Sequence, residues 1–450
     1  MLITISVPQA VDDNGLISHF EPAASDASSQ LIEEASTPIT LIPTGAFLLP
    51  AFCDLHLHAP QFLYQGNGLD LPLMQWLDKY TLQSEARLDA NPTLARRVYT
   101  QLASQLIENG TGTVLLFGTI KVETNLILAE CMLSAGIRAF IGKLSMDIDI
   151  SSPDSRKLTY VERNASTALE AVTLFLEGCG SLVNQLPPTR RLIEPVLTPR
   201  FVPTCTNELL AGLGNLSEKR NLKIQSHLAE SKEQAERVRS EREMDDINVF
   251  EKANLLTSRT IQAHCTFLQK PNFQHLTQKG TSIAHCPLSN SYFSEEPFPL
   301  REALDCEVQI GLGTDIAGGY SLDIMSAMRQ AVMVSRMREG VRSMDASRSS
   351  DTKVSIDWVE SLYLATRGGS RALGLEGIFK IGAPFDAQEV AIYDTYTNRG
   401  IGALNYFDLE SRLEDERIVL DREMVEKWWC LGDGRNRRHV WIQGHPVKDT

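Results

Sequence analysis

Between Phe52 and about residue 375 the chain alternates short apolar, β-branched runs with amphipathic helical stretches, the pattern of repeated βα units around a parallel sheet. Strands are expected near 52–58, 113–118, 138–146, 192–198, 222–228, 260–264, 281–285 and 308–314. The intervening segments carry helix signals. Asn91-Pro92 supplies a cap and a first-turn proline, after which Leu94, Val98, Leu102 and Leu106 repeat at helical spacing until Gly110. Residues 124–136, 165–178, 207–221 and 322–337 read the same way. Eight strands with their helices in roughly 300 residues predict an α/β fold, a (β/α)₈ barrel of TIM type; a doubly wound open sheet is the alternative.

The two ends have a different texture. The first fifty residues mix β-type runs (Leu2–Val7, Ile39–Ile42) with a polar, Ser/Ala-rich stretch from Glu21 to Glu34 that reads as a loop. After a helix over 358–373, β-like runs return at Gln388–Tyr393 and His439–Val447. Neither end is large enough to hold a core, so residues 1–50 and 376–450 are expected to pair into one β-sandwich beside a barrel spanning 51–375. The charge run Glu410–Glu416 reads as a solvated face.

Charge limits the partners. With 43 basic against 57 acidic residues the net charge is -14, which repels a phosphate backbone or an anionic membrane surface. The N-terminal MLITISVPQAVDDNG lacks the basic and apolar regions of a signal peptide, and uninterrupted apolar runs such as Val114–Phe117 fall short of the roughly 20 residues a membrane helix needs. A cytoplasmic protein with no nucleic-acid or membrane partner is expected. Eight scattered cysteines without a CxxC pair suit reduced, buried thiols, and the sequons at Asn109, Asn164 and Asn215 then carry no glycan.

Of nine histidines, five (His56, His58, His227, His264 and His285) lie within or at the ends of expected strands. In Asp54-Leu55-His56-Leu57-His58 the imidazoles are two apart and share one strand face, an arrangement suited to Zn²⁺ or Fe²⁺ and equally to a hydrogen-bonded pair of core histidines. His227 ends the fifth strand, and Glu230 follows where the loop opens. Asp315 ends the eighth strand among glycines, either as a ligand or as a cap for the helix near Leu322. His56, His58, His227, His264 and Asp315 all fall at the carboxyl ends of strands, where barrel enzymes place their sites. No GxGxxG, GxxxxGK[ST] or GxSxG occurs, so dinucleotide, P-loop and serine-elbow chemistry have no support, and metal-assisted hydrolysis remains.

The set HxH, His227, His264, His285-Cys286-Pro287 with Ser289-Asn290, and Gly313-Thr314-Asp315 resembles the amidohydrolase superfamily. Finer motifs are similar to those of the guanine deaminases within it. They are His58-Ala59-Pro60-Gln61-Phe62, Asp70-Leu71-Pro72-Leu73 through Trp76-Leu77 to Lys79-Tyr80-Thr81, Thr198-Pro199-Arg200-Phe201, Ser226 to Glu230, and Asp315-Ile316-Ala317-Gly318-Gly319. The resemblance implies one zinc per subunit, a homodimer, and hydrolysis of guanine to xanthine and ammonia. It makes His56, His58, His227 and Asp315 the zinc ligands. Glu230, Asp315 and His264 become the catalytic groups, and the substrate contacts are His58, Gln61, Arg200, Phe201, His227, Glu230 and Asp315. Two features depart from the family pattern: Pro60 stands where Ser is common, and the loop 291–300 differs from the animal type.

Rival readings have their own signatures. A two-metal amidase of the same superfamily wants a lysine at the end of the fourth strand, and residues 192–201 contain none. An enzyme deaminating or dechlorinating another aminated heterocycle would share the same histidines and carboxylates. A non-catalytic barrel scaffold would be expected to have lost ligands that here are all present.

Overall fold

The computed structural model describes residues 9–36, 39–150, 159–344, 353–397, 399–405, 413–414, 417–418 and 420–448. All eight expected barrel strands form: β1 (Phe52–His58), β2 (Thr111–Phe117), β3 (Arg138–Ser145), β4 (Ile193–Pro199), β5 (Ile224–Leu228), β6 (Thr260–His264), β7 (Ser282–His285) and β8 (Ile310–Leu312). They lie side by side in chain order in one sheet. The sheet closes between its first and last strands. The Asp315 amide donates to the His56 carbonyl at 2.8 Å, and the His58 amide to the Ile316 carbonyl at 3.2 Å. Asp54 accepts from the backbone amide and the hydroxyl of Thr314. These bonds exclude the open-sheet alternative. Gly313 permits the close approach, since a Cβ there would lie 2.7 Å from that of His56.

Strand periodicity sorts the side chains of β1. Cys53 and Leu55 join a buried cluster with Leu115, Phe140, Val196 and Ile261, while Asp54, His56 and His58 share the opposite face. Helices follow most strands, among them Pro92–Glu108, Val122–Ala135, Ala165–Val183, Asn207–Arg220 and Ile324–Met344. Ala165–Val183 is long and apolar enough by composition to cross a membrane, which uninterrupted apolar runs did not reveal. Its Ala168, Val172, Phe175 and Cys179 are buried, and it packs on the helices Val122–Ala135 and Asn207–Arg220.

Several elements depart from expectation. Lys232–Arg242 is a helix, although its sequence KEQAERVRSER has almost no apolar period; Ser231 caps it by accepting from the Gln234 amide. The polar stretch after Glu21 holds a helix, Asp26–Glu33, capped by Ser25. Ile39–Ile42 is not a strand; the strand is Ala46–Pro50, and Leu2–Val7 lies outside the described residues. The helix expected over 358–373 is interrupted by a π turn at Leu364–Gly368. Most of Glu410–Glu416 also lies outside the described residues.

Two compact units emerge: Cys53–Gln105 with Thr113–Leu375, and residues to Phe52 with Leu106–Gly112 and Glu376 onward. In the second, Ala46–Pro50, Ala387–Ala391, Arg437–Ile442 and His445–Lys448 form a four-stranded antiparallel sheet that takes strands from both ends of the chain. Phe47 meets Trp428 edge-on at 5.5 Å, and Ile17, Phe385 and Ala387 form a small core.

One buried ion pair in the barrel has a direct energetic consequence. Lys143 on β3, 1% exposed, donates to Glu162 at 2.6 Å and to the Leu144 carbonyl at 2.8 Å. Replacing Lys143 by Met strands the Glu162 carboxylate in a dry site, and a loss of about 3 kcal/mol is expected, read as a lower melting temperature. An unchanged melting temperature contradicts this.

Candidate active site

At the carboxyl ends of the strands, β1 contributes His56 and His58, β5 His227, β6 His264, and the turn after β8 Asp315. The rings converge: the centroids of His56, His58, His227 and His264 lie 4.9–5.4 Å apart in the contacting pairs. Asp315 Oδ1 lies 3.1 Å from His56 Nε2 and 3.5 Å from His58 Nε2. Left-handed backbone aims two of these groups, with φ of 68° at His264 and 50° at Asp315. Such conformations cost about 1–3 kcal/mol each in non-glycine residues and persist where surrounding structure enforces them. Asp315 does not cap the following helix, whose Met325 amide is met by Asp323.

Two rings have their tautomer set by neighbours. His227 Nδ1 donates to the Arg200 carbonyl at 2.6 Å, and His264 Nδ1 to Asn290 Oδ1 at 2.9 Å, which leaves both Nε2 atoms as lone-pair donors. His58 Nε2 stands 3.0 Å from His227 Nε2. His56 Nε2 and His264 Nε2 are buried and have no hydrogen-bond partner among the described residues. Burial, joined by neighbouring rings or Arg200, pushes His56, His58 and His227 well below the usual imidazole range, so all three are neutral. Converging neutral nitrogens with one carboxylate, several unsatisfied, are the donor set a divalent ion satisfies. Cys286 Sγ also lies within 4.8 Å of donors on His56 and Asp315, a proximity the sequence motif did not disclose.

A small cavity opens over this cluster. His58, Arg200, His227, Glu230 and Asp315 supply its polar lining, with Gln61 beside them. Phe201, Leu73, Trp76, Leu77 and Phe293 supply apolar walls. All seven residues expected to contact substrate therefore line one space, and His56 and His264 make ring contacts with the lining His58 and His227. Arg200 is buried and paired through Nη1 with Glu85 at 2.8 Å. The Gln61 side-chain oxygen already accepts from the Ala317 amide at 2.9 Å, so its NH₂ group is what remains to face a ligand. Burial, reinforced by the Asp315 carboxylate and opposed by Arg200, raises Glu230 well above the ordinary carboxylate range. Asp54, behind the histidines, is pushed up to about 7 by burial against its bonds from Thr314. Glu85 and the orienting role of Asn290 escaped the sequence reading, because a lone Glu in the helix Leu82–Ala90 has no motif around it.

The amidohydrolase family pattern matches residues 47–447. The guanine deaminase of Mus musculus is 36% identical over 406 residues, covering 89% of this chain and 83% of that protein. A probable guanine deaminase of Schizosaccharomyces pombe is 36% identical over 430 residues, covering 93% and 74% respectively. The crystal structure of guanine deaminase from C. acetobutylicum with guanine bound in its active site superposes with a TM-score of 0.81 at 28% identity, over 97% of this chain and 93% of that one. The chain belongs to the amidohydrolase family, in its guanine deaminase branch.

Proposed function

We propose that this chain hydrolyses guanine at C2, taking up one water and releasing xanthine and ammonia. The observation that carries the reading is the cavity itself. It brings the Arg200 and Gln61 donors into one space with the carboxyl groups of Glu230 and Asp315 and with His58 and His227 of the histidine cluster. Arg200 offers the fixed N–H groups suited to O6 and N7 of guanine, whereas adenine presents an amine in place of O6. Phe201, Trp76 and Phe293 hold the planar ring and keep water out.

The metal is proposed to be one zinc per subunit, held by His56, His58, His227 and Asp315, whose donor atoms approach one another, with His264 beside them and its donor within 4.8 Å of those on His56 and His227. When bound, such an ion acts as a Lewis acid that makes water acidic enough to serve as nucleophile at neutral pH. Glu230, protonated by virtue of its burial, delivers a proton to the ring nitrogen beside C2. Asp315 and His264, whose Nε2 lies 3.8 Å from Asp315 Oδ2 and 3.7 Å from Glu230 Oε1, pass one proton of the attacking water to the departing amine, and the other proton of that water restores Glu230. A homodimer in the reducing cytoplasm completes the proposal; eight cysteines, none in a disulfide among the described residues and six of them buried, are compatible with that compartment.

Ammonia release from zinc-loaded protein offered guanine, adenine, cytosine and a triazine amine in parallel tests the reading. Selective turnover of guanine is expected. Hydrolysis of another amine with none of guanine retains the barrel and its metal chemistry but discards the substrate. Arg200→Ala is expected to raise KM for guanine by about 10-fold or more, the scale of a charged hydrogen bond; an unchanged constant shows that the arginine serves the fold alone.

A further inference from the structure

We propose that Glu85 is a positioning residue for substrate recognition, fixing the Arg200 guanidinium so that its remaining N–H groups meet the oxygen at C6 of the base. The proposal rests on the guanine reading above and deepens it. Glu85 is fully buried, and its Oε2 accepts from Arg200 Nη1 at 2.8 Å. Among the described residues this is the one hydrogen bond the Arg200 side chain makes, while its remainder faces the cavity. Glu85 Oε1 has no hydrogen-bond partner among the described residues. A carboxylate fully removed from water with half its acceptor capacity unused is an expensive device if its purpose is only to hold the fold together.

The helix that carries Glu85 is itself tied down on several sides. One residue earlier, Ser84 Oγ donates to the Pro60 carbonyl at 3.0 Å, directly before Gln61. One helical turn later, Asp89 Oδ2 accepts from Tyr160 at 2.7 Å, and the Asp89 carbonyl accepts from Lys121 Nζ at 2.9 Å. Thr81, just before the helix, meets Tyr64 of the Gln61-bearing turn at 2.6 Å. Leu82–Ala90 is therefore one brace that touches both groups expected to read the base, Gln61 through its backbone neighbour and Arg200 through Glu85. Charge supports the same role. A guanidinium on the wall of a site built to hold a cation is pushed away from it, and the Glu85 carboxylate offsets that repulsion from the far side.

Glu85→Gln and Glu85→Asp, prepared as full-length zinc-loaded proteins, test this against guanine and against 2-aminopurine, which has the C2 amine but no oxygen at C6. Expected for Glu85→Gln is a rise in guanine KM of about 10- to 100-fold, with kcat and the inhibition constant of 2-aminopurine each moving less than about threefold. Glu85→Asp, which keeps the charge but is one methylene too short, falls between. In an Arg200→Met background, adding Glu85→Gln must leave guanine KM where Arg200→Met alone put it. This comparison and Glu85→Asp decide the matter if Glu85→Gln alone does not fold. Equal shifts for guanine and 2-aminopurine, or no shift in either, overturn the proposal. If the unaltered protein does not hydrolyse guanine, the functional reading falls instead. If Arg200→Met raises KM while the Glu85 variants leave it alone, only the role of Glu85 falls.

Discussion

Glu230→Gln is expected to lower guanine turnover at least about 100-fold, the usual scale for a general acid or base, while metal content stays at the level of the unaltered protein. The reason lies in its surroundings. Glu230 lines the cavity between Arg200 and Asp315, and burial together with the Asp315 charge keeps its carboxyl protonated well above the usual carboxylate range. It can hand over that proton and take one back within a turnover, which an amide of the same shape cannot do. It stands 3.7 Å from His264 Nε2 and within 4.8 Å of donors on His264 and Asp315, but outside the proposed set of His56, His58, His227 and Asp315, so metal is expected to be retained on that set. Turnover and metal content measured on the same preparation separate the two roles. Near-normal turnover removes Glu230 from the chemistry, and loss of metal makes it a ligand.

The second large effect concerns the metal. Dialysis against a chelator is expected to abolish turnover, and added zinc to restore it; His227→Ala should bind metal poorly and lose at least about 1000-fold, since a metal ion supplies several kcal/mol of charge stabilisation. His227 is the ligand to test. Its Nδ1–H bond to the Arg200 carbonyl holds the ring by its far side, so the alanine removes a donor without freeing a buried charge. Turnover that persists in metal-free protein would sink this prediction and the metal chemistry with it.

The barrel was legible because its strands are buried on both faces and read as short, dense β-branched runs with turn residues around them; all eight expected strands form close to their expected bounds. The same holds for the clustered histidines and Asp315. The two-residue period of His56 and His58, and strand-terminal positions for His227, His264 and Asp315, are properties of single segments and need no tertiary knowledge. What stayed hidden depends on contacts between segments. Glu85 and Arg200 are 115 positions apart, and His264 and Asn290 meet across 26. Helices such as Lys232–Arg242 escaped because a cap and neighbouring structure hold them while few of their side chains are apolar. Gln61 was expected at the site and does line the cavity, but the commitment of its oxygen to the Ala317 amide was not legible.

The closure of the barrel has a consequence for how the protein is made. Asp54 and Thr314, whose bonds help to join β1 to β8, are 260 positions apart, and His56 and Asp315 flank that seam. As the chain leaves the ribosome, its first histidines appear long before the carboxylate that completes their set, and long-range pairings of this kind form late. A nascent or truncated chain ending before β8 holds the imidazoles without Asp315 and without a closed wall around them. The donor set proposed for the metal is thereby incomplete until synthesis has passed the last barrel strand.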